Sequence, residues 1–69
     1  MNFVNVKSSN VRAVAWENNC LYVAFINSNA TYRYDGVPEE RYGALLRSES
    51  KGRFLHMWIK GNYPYCRIS

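Results

Sequence analysis

Residues 11–34, VRAVAWENNCLYVAFINSNATYRY, decide the fold because they hold three extended segments separated by two short polar turns. Their β-branched and aromatic residues are typical of strands. Asn18 and Asn19 tolerate a positive φ, which a tight two-residue hairpin requires. The stretch therefore predicts a three-stranded antiparallel meander. Its strands are Val11–Trp16, Cys20–Ile26 and Ala30–Tyr34.

Side chains of each predicted strand alternate between the two faces of the sheet. Tyr32 and Tyr34 share one face, and Arg33 points to the other. We expect Trp16 and Tyr22 to lie on the face opposite Tyr32 and Tyr34. In the first strand, strict alternation places Val11, Ala13 and Ala15 together.

The residues after the meander predict a first short helix, from about Pro38 to Ser48. Proline suits the first helical position, where its missing N–H would be unpaired in any case. Tyr42, Leu45 and Leu46 follow the i, i+3, i+4 spacing of an apolar stripe. This helix should therefore pack one side against the sheet.

A second short helix is predicted over about Lys51–Lys60, with Ser48 or Ser50 as its N-cap. Gly61 suits the left-handed conformation that commonly follows a helix. Four apolar residues are expected to face the core, so removal of either aromatic one should unfold the domain: Phe54, Leu55, Trp58 and Ile59. Three basic residues are expected to share the outer side: Arg53, His56 and Lys60.

Two further strands are expected at the chain ends. Phe3–Val6 fits a short additional strand, and Cys66–Ile68 fits a last strand that begins beside Pro64. Proline cannot donate to a ladder, so this last strand should lie at an edge. The predicted fold class is α+β, with a three-stranded antiparallel meander, two short helices packed on one face and a C-terminal strand returning to the sheet, all in a single domain over residues 1–69.

Composition excludes several classes of protein. The chain has 69 residues, of which 48% are hydrophobic and 16% aromatic, which is typical of a globular domain. Its longest apolar run, Cys20–Ile26, falls far short of the roughly 20 residues that cross a membrane. We expect no signal peptide, because the N-terminus lacks a basic segment followed by an apolar one. Cys20 and Cys66 form no C-x-x-C pair, which predicts free thiols, no metal, no cofactor and a cytoplasmic protein.

The net charge of +4 lies entirely in the last third of the chain. Residues 1–46 carry four positive and four negative side chains, whereas residues 47–69 carry five positive and one negative. A local excess of positive charge favours an anionic partner, such as nucleic acid, a nucleotide or an acidic protein surface. A solvated basic face that keeps the protein soluble explains the same excess.

The order of several motifs resembles the KTSC domain family, over about residues 8–68. The motifs are Leu21-x-Val23-x-Phe25, Tyr32-x-Tyr34, Gly36-Val37-Pro38, Tyr42 with Leu45, Ser50-Lys51-Gly52-Arg53-Phe54, Ile59-Lys60 and Tyr63. The family takes its name from a C-terminal module of some lysyl-tRNA synthetases, and it also occurs as small single-domain proteins of bacteria and phages. Members often have a second aromatic residue and an asparagine where this chain has Leu55 and His56. The resemblance implies an α+β fold, and RNA binding is a role that has been suggested for the family.

The start of the second helix is a candidate anion site. Lys51, Gly52 and Arg53 combine two cations with a glycine that a ligand can approach closely, next to free backbone N–H groups. His56, Lys60 and, on the sheet, Arg33 extend the candidate nucleic-acid contacts. An ordinary capped helix with solvated charges is the competing interpretation. We expect neither Lys51 nor Arg53 to be needed for folding.

Four aromatic residues are candidates for stacking on unpaired bases, as sheet aromatics do in several RNA-binding folds. Tyr32 and Tyr34 either stack bases or pack under the helices, and packing is the favoured interpretation in so small a domain. If the helices cover one face only, Trp16 and Tyr22 are the better candidates.

No spacing of nucleophile, base and acid indicates catalysis, so we expect no catalytic residues. The leading hypothesis is a non-catalytic module that binds RNA or another phosphate-bearing ligand. A protein–protein interaction module, of phage or mobile-element origin, and a small nucleotide-binding protein are the alternatives. No membrane partner is expected, and the sequence leaves open whether the protein is a monomer or a homodimer.

Overall fold

The computed structural model describes residues 1–69 and has five strands, with the helical segment between the fourth and the fifth. The strands are β1 (Val4–Asn5), β2 (Val11–Glu17), β3 (Cys20–Phe25), β4 (Thr31–Asp35) and β5 (Tyr65–Arg67). The helices are α1 (Glu39–Arg47) and α2 (Lys51–Phe54), which continues as a π-helical turn over Leu55–Ile59. The α+β class is confirmed. The sheet has five strands in the order β1-β2-β3-β4-β5, and all neighbouring strands are antiparallel. The meander therefore extends over five strands, two more than predicted.

The hairpin between β2 and β3 forms as the Asn-Asn pair predicts. Asn18 and Asn19 have φ values of 53° and 63°, and Glu17 pairs directly with Cys20. A turn with both central residues at positive φ matches the twist of the strands that it joins. This turn fixes the register of the first two long strands.

A β-bulge interrupts the alternation at the start of β2. Val11 pairs with Phe25, whereas Ala13 pairs with Ala24, and the register shifts between them. Val11 consequently joins Val14 in the buried cluster on the helix side of the sheet. The prediction that Val11 shares a face with Ala13 is therefore wrong, because the extra residue of the bulge reverses the side-chain direction.

The core lies between one face of the sheet and the helical segment. Helix α1 contributes the buried Leu45, and the π-helical turn contributes the buried Leu55 and Ile59. They pack against residues of β2, β3 and β4, and against Val37: Val11, Val14, Leu21, Val23 and Tyr34. Apolar burial of this kind is the main source of stability in so small a domain.

The helical segment ends in a wide turn. The N–H of Lys60 donates to the carbonyl of Leu55, five residues earlier, at 2.8 Å. Gly61 then takes φ 84°, which confirms the predicted left-handed residue. Leu55 and Ile59 are buried as predicted, whereas Trp58 is 47% exposed, so its predicted place in the core is wrong. The π-helical turn that buries Leu55 and Ile59 leaves Trp58 at the surface.

Strand β5 returns to the sheet beside β4, and Tyr65 pairs with Tyr34. The strand begins directly after Pro64 and occupies an edge, as predicted. Cys20 on β3 and Cys66 on β5 are separated by β4, and both are free thiols. None of the helices is both long enough and apolar enough to cross a membrane.

Candidate functional site

A groove at the β5 edge of the sheet, on the helix side, brings four aromatic rings together. Phe25, Tyr32, Tyr34 and Tyr65 line it with Lys60, and we name this set the aromatic groove. Ser28 and Gly61 complete the lining of a cavity of about 480 Å³. That volume lies within the range of small-molecule binding sites.

The strand register places the rings of the aromatic groove. Tyr32 and Tyr34 are two residues apart on β4 and therefore share a face, and Tyr65 lies opposite Tyr34 on β5. The ring centre of Tyr65 is 5.6 Å from that of Tyr32 and 5.7 Å from that of Tyr34. Phe25 meets Tyr32 edge to face at 5.8 Å. These are the separations of mutually attractive aromatic pairs.

Lys60 supplies the charge of the aromatic groove. The wide turn and Gly61 direct the chain so that the Lys60 ammonium lies 5.5 Å from the centre of the Phe25 ring. No other charged residue lines the cavity. Its electrostatic preference is therefore for an anion.

The rings of the groove differ in exposure, which separates the floor from the rim. Tyr34 is only 3% exposed and forms the floor, whereas Tyr65 is 62% exposed at the rim. Burial, with smaller contributions from Tyr32 and Tyr65, raises the pKa of Tyr34. Its hydroxyl is therefore neutral at physiological pH and can donate a hydrogen bond.

The four predicted stacking residues do not lie together. Tyr32 and Tyr34 meet in the aromatic groove, whereas Tyr22 lies on the outer face, with its ring 6.5 Å from that of Phe3. Trp16 pairs with Leu21 and therefore points to the helix side, where its indole N–H donates to the Val37 carbonyl at 2.7 Å. The expectation that Trp16 shares a face with Tyr22 is wrong, because the tight hairpin pairs Trp16 with the neighbour of Tyr22.

Arg33 lies on the outer face and is already paired. Its Nε donates to Asp35 Oδ1 at 2.8 Å. The hydrogen bond and the charge of Asp35 raise the pKa of Arg33. The structure thus gives Arg33 an internal carboxylate partner and separates it from the aromatic groove.

Lys51 also has partners within the protein. Its ammonium donates to the carbonyls of Ser48 at 2.6 Å and Leu46 at 3.2 Å, at the C-terminal end of α1. That helix end carries partial negative charge. The position of a lysine at the start of α2 is therefore explained by α1, without an external anion.

Gly52 accommodates a side chain from elsewhere in the chain. A Cβ atom at Gly52 would lie 2.9 Å from Oδ1 of Asn10 and 3.1 Å from its Nδ2. The close approach that the glycine permits is thus made by Asn10.

The predicted basic contacts fall into two places. Arg53 lines a wholly polar cavity of about 450 Å³ together with Lys51, Gly52 and Lys7, and Glu49 is its acidic residue. His56 is exposed but lines neither this cavity nor the aromatic groove. The π-helical turn breaks the spacing that would align Arg53, His56 and Lys60, and only Lys60 reaches the aromatic rings.

Sequence reasoning missed two residues of the aromatic groove, Phe25 and Tyr65. Alternation from Leu21 and Val23 does place Phe25 on the helix face, so a signal for it existed. Tyr65 had no comparable signal, because its position depends on the pairing of β5 with β4.

These features define a small α+β protein whose aromatic groove lies at the edge of an antiparallel sheet. The chain belongs to the KTSC domain family, whose model matches residues 7–63, and this confirms the resemblance. It is 39% identical over 71 residues to an uncharacterized protein of Stutzerimonas stutzeri (strain A1501), with 99% of both chains covered. The crystal structure of a KTSC domain protein from Yersinia pestis is similar, with a TM-score of 0.93, 31% identity and coverage of 99% of this chain and 97% of that one.

Proposed function

We propose that the protein is a non-catalytic binding module that takes a nucleotide of single-stranded RNA into the aromatic groove. The observation that carries the proposal is the meeting of three tyrosine rings with a single cation, Lys60, in a cavity of about 480 Å³. Aromatic rings stack on bases, and a lysine attracts the phosphate.

The proposal favours single strands over duplexes. A recess lined by rings accepts a base that has left its stack, whereas duplex bases are already stacked on one another. Tyr65 and Tyr32 are the rings best placed to contact a base, since Tyr34 is buried at the floor. A free mononucleotide would use the same contacts with lower affinity, because it has fewer phosphates.

The test is an amide-shift titration by NMR with oligouridylate, duplex RNA and uridine monophosphate. We expect oligouridylate to shift the amide signals of β4, β5 and Gly61, with weaker shifts from the mononucleotide and none from the duplex. Shifts confined to other surfaces, or equal binding of the duplex, would contradict the proposal.

Two variants and a control localise the binding. Tyr65→Leu keeps an apolar side chain but removes the ring, and it should weaken oligouridylate binding by about tenfold or more, because stacking contributes about 1–3 kcal/mol per base. Lys60→Gln removes the charge and should also weaken binding. Lys7→Gln, an exposed lysine outside the groove, should leave the affinity unchanged.

A further inference from the structure

The π-helical turn exposes two large apolar side chains in succession. Met57 is 57% exposed and Trp58 is 47% exposed, and we name them the Met57–Trp58 ridge. Neither residue lines the aromatic groove. Tryptophan is highly buried on average, so its exposure on a domain with so small a core needs an explanation.

The local backbone produces this exposure. Leu55 and Ile59 are both buried, and the turn that joins them is widened to an i→i−5 hydrogen bond, from Lys60 N–H to Leu55 O. Single π-helical turns occur frequently at functional sites. Arg41 lies across the indole of Trp58, with its guanidinium carbon 5.0 Å from the ring centre, and this contact orients the exposed ring.

A cavity lies on each side of the Met57–Trp58 ridge. Both cavities are lined by Met57 and Trp58, so the two side chains form a shared wall. One cavity, of about 260 Å³, adds Phe54 and Arg53, and the other, of about 320 Å³, adds Tyr63 and Arg41. The surface therefore offers two recesses that share the apolar wall of the ridge, each with a guanidinium beside it.

The charges of the ridge surface favour a carboxylate-bearing partner. Arg41 and Arg53 stand on opposite sides, and Glu49 is the only acidic residue that lines either cavity. Arginine binds carboxylates through paired, charge-assisted hydrogen bonds. We propose that the Met57–Trp58 ridge docks an acidic peptide segment of a partner protein, with apolar side chains in the two recesses and carboxylates on Arg41 and Arg53.

A peptide fits this surface better than RNA does. Arg41 already covers one face of the indole, which removes that face from base stacking. Methionine, tryptophan and arginine are enriched at protein interfaces, where flexible methionine adapts to the partner. The two recesses on either side of a ridge suit separate side chains rather than one flat ring.

The test selects peptides from a random display library against the full chain and follows binding by NMR. We expect the selected peptides to carry aspartate or glutamate flanking apolar residues. The indole N–H signal of Trp58 should shift on binding, whereas that of Trp16, hydrogen-bonded to Val37, serves as an internal reference and should not. Selection of basic peptides, of no peptides, or a shift of Trp16 alone would overturn the proposal.

Variants separate this surface from the aromatic groove. Trp58→Ala should lower the affinity for a selected peptide about tenfold or more, as truncation of a hot-spot residue does. Arg41→Gln and Arg53→Gln should each weaken it several-fold, whereas Arg47→Gln, on α1 but lining neither cavity, is the matched control. Tyr65→Leu should leave peptide binding intact, so the test of this proposal does not depend on RNA binding.

A shift of the Trp58 indole signal caused by oligouridylate, or by raising the protein concentration alone, would identify RNA or a second copy of the chain as the occupant. Either result would overturn the proposal.

Discussion

At the scale of single residues, the positive charge of Lys51 is unfavourable at the start of α2 but favourable at the C-terminal end of α1. Its ammonium stands 2.6 Å from the Ser48 carbonyl at the end of α1, although it begins α2. The interaction with a helix C-terminus contributes about 1 kcal/mol or less. We predict that Lys51→Ala lowers the melting temperature, by no more than the roughly 4–8 °C that about 1 kcal/mol gives in a domain of this size.

The matched control for Lys51 is its neighbour. The backbone N–H of Arg53 donates the N-cap hydrogen bond to the Ser50 hydroxyl. Arg53→Ala keeps this bond, so the variant should melt at the same temperature as the wild type. Equal melting of the two variants would show that Lys51 does not stabilise α1. The expectation from sequence, that neither residue is needed for folding, stays a prediction that the same melting curves test.

A second prediction for a single residue concerns Tyr34 and alkaline pH. Burial raises the pKa of Tyr34 in the folded protein, whereas an unfolded tyrosine ionises near pH 10. Above about pH 10 the unfolded chain therefore releases the proton first, and the free energy of unfolding falls as pH rises. Tyr34→Phe removes this loss and should resist alkaline unfolding better than the wild type, in urea melts repeated from pH 8 to pH 11. Cys20 and Tyr42, whose pKa values burial also raises, are present in both proteins, so parallel pH curves would contradict the assignment.

At the scale of elements, the π-helical turn decides which side chains hold the second helix against the sheet. Leu55 and Ile59 are 1% and 0% exposed, whereas Trp58 is 47% exposed. We predict that Leu55→Ala and Ile59→Ala each cost about 2–5 kcal/mol, which is comparable to the whole stability of so small a domain. Trp58→Ala should cost clearly less than either, because about half of that residue is already exposed. Urea unfolding of the three variants measures the difference, and a Trp58 variant as unstable as the others would place that ring in the core.

The elements that sequence could predict are those that local chemistry determines. The Asn18-Asn19 turn needs positive φ, and Gly61 ends a helix in the left-handed region, so both follow from residue type. The β-bulge after Val11 and the π-helical turn do not, because each inserts a residue to improve burial against another element. The sequence therefore predicts the strand of Val11 and the helix of Trp58 correctly but places both side chains on the wrong side.

At the scale of the whole molecule, the fold divides a charge that is concentrated in the sequence. Of the cations in the last third, Lys51 and Arg53 line one polar cavity, where Lys51 also binds the end of α1, and Lys60 alone reaches the rings of the aromatic groove. The aromatic groove is assembled from β3, β4, β5 and the residues that follow the π-helical turn. Two of its tyrosines were predictable as neighbours on one strand, but Tyr65 was not, since strand order is a property of the whole sheet.

This division of the charge sets the expected salt dependence of RNA binding. Each phosphate neutralised on a single strand contributes roughly −0.7 to the slope of log affinity against log salt, so five cations acting together would give about −3.5. The groove offers Lys60, with Arg67 opposite Tyr32 on the adjacent strand as a second cation. We therefore predict a slope of roughly −0.7 to −1.4 for oligouridylate, measured by fluorescence titration across a salt series. Lys60→Gln should make the slope shallower by about 0.7, and Lys7→Gln should not change it. A wild-type slope near roughly −3.5 would indicate that RNA binds through the cations outside the groove. A flat slope with measurable affinity would mean that the groove recognises an uncharged group.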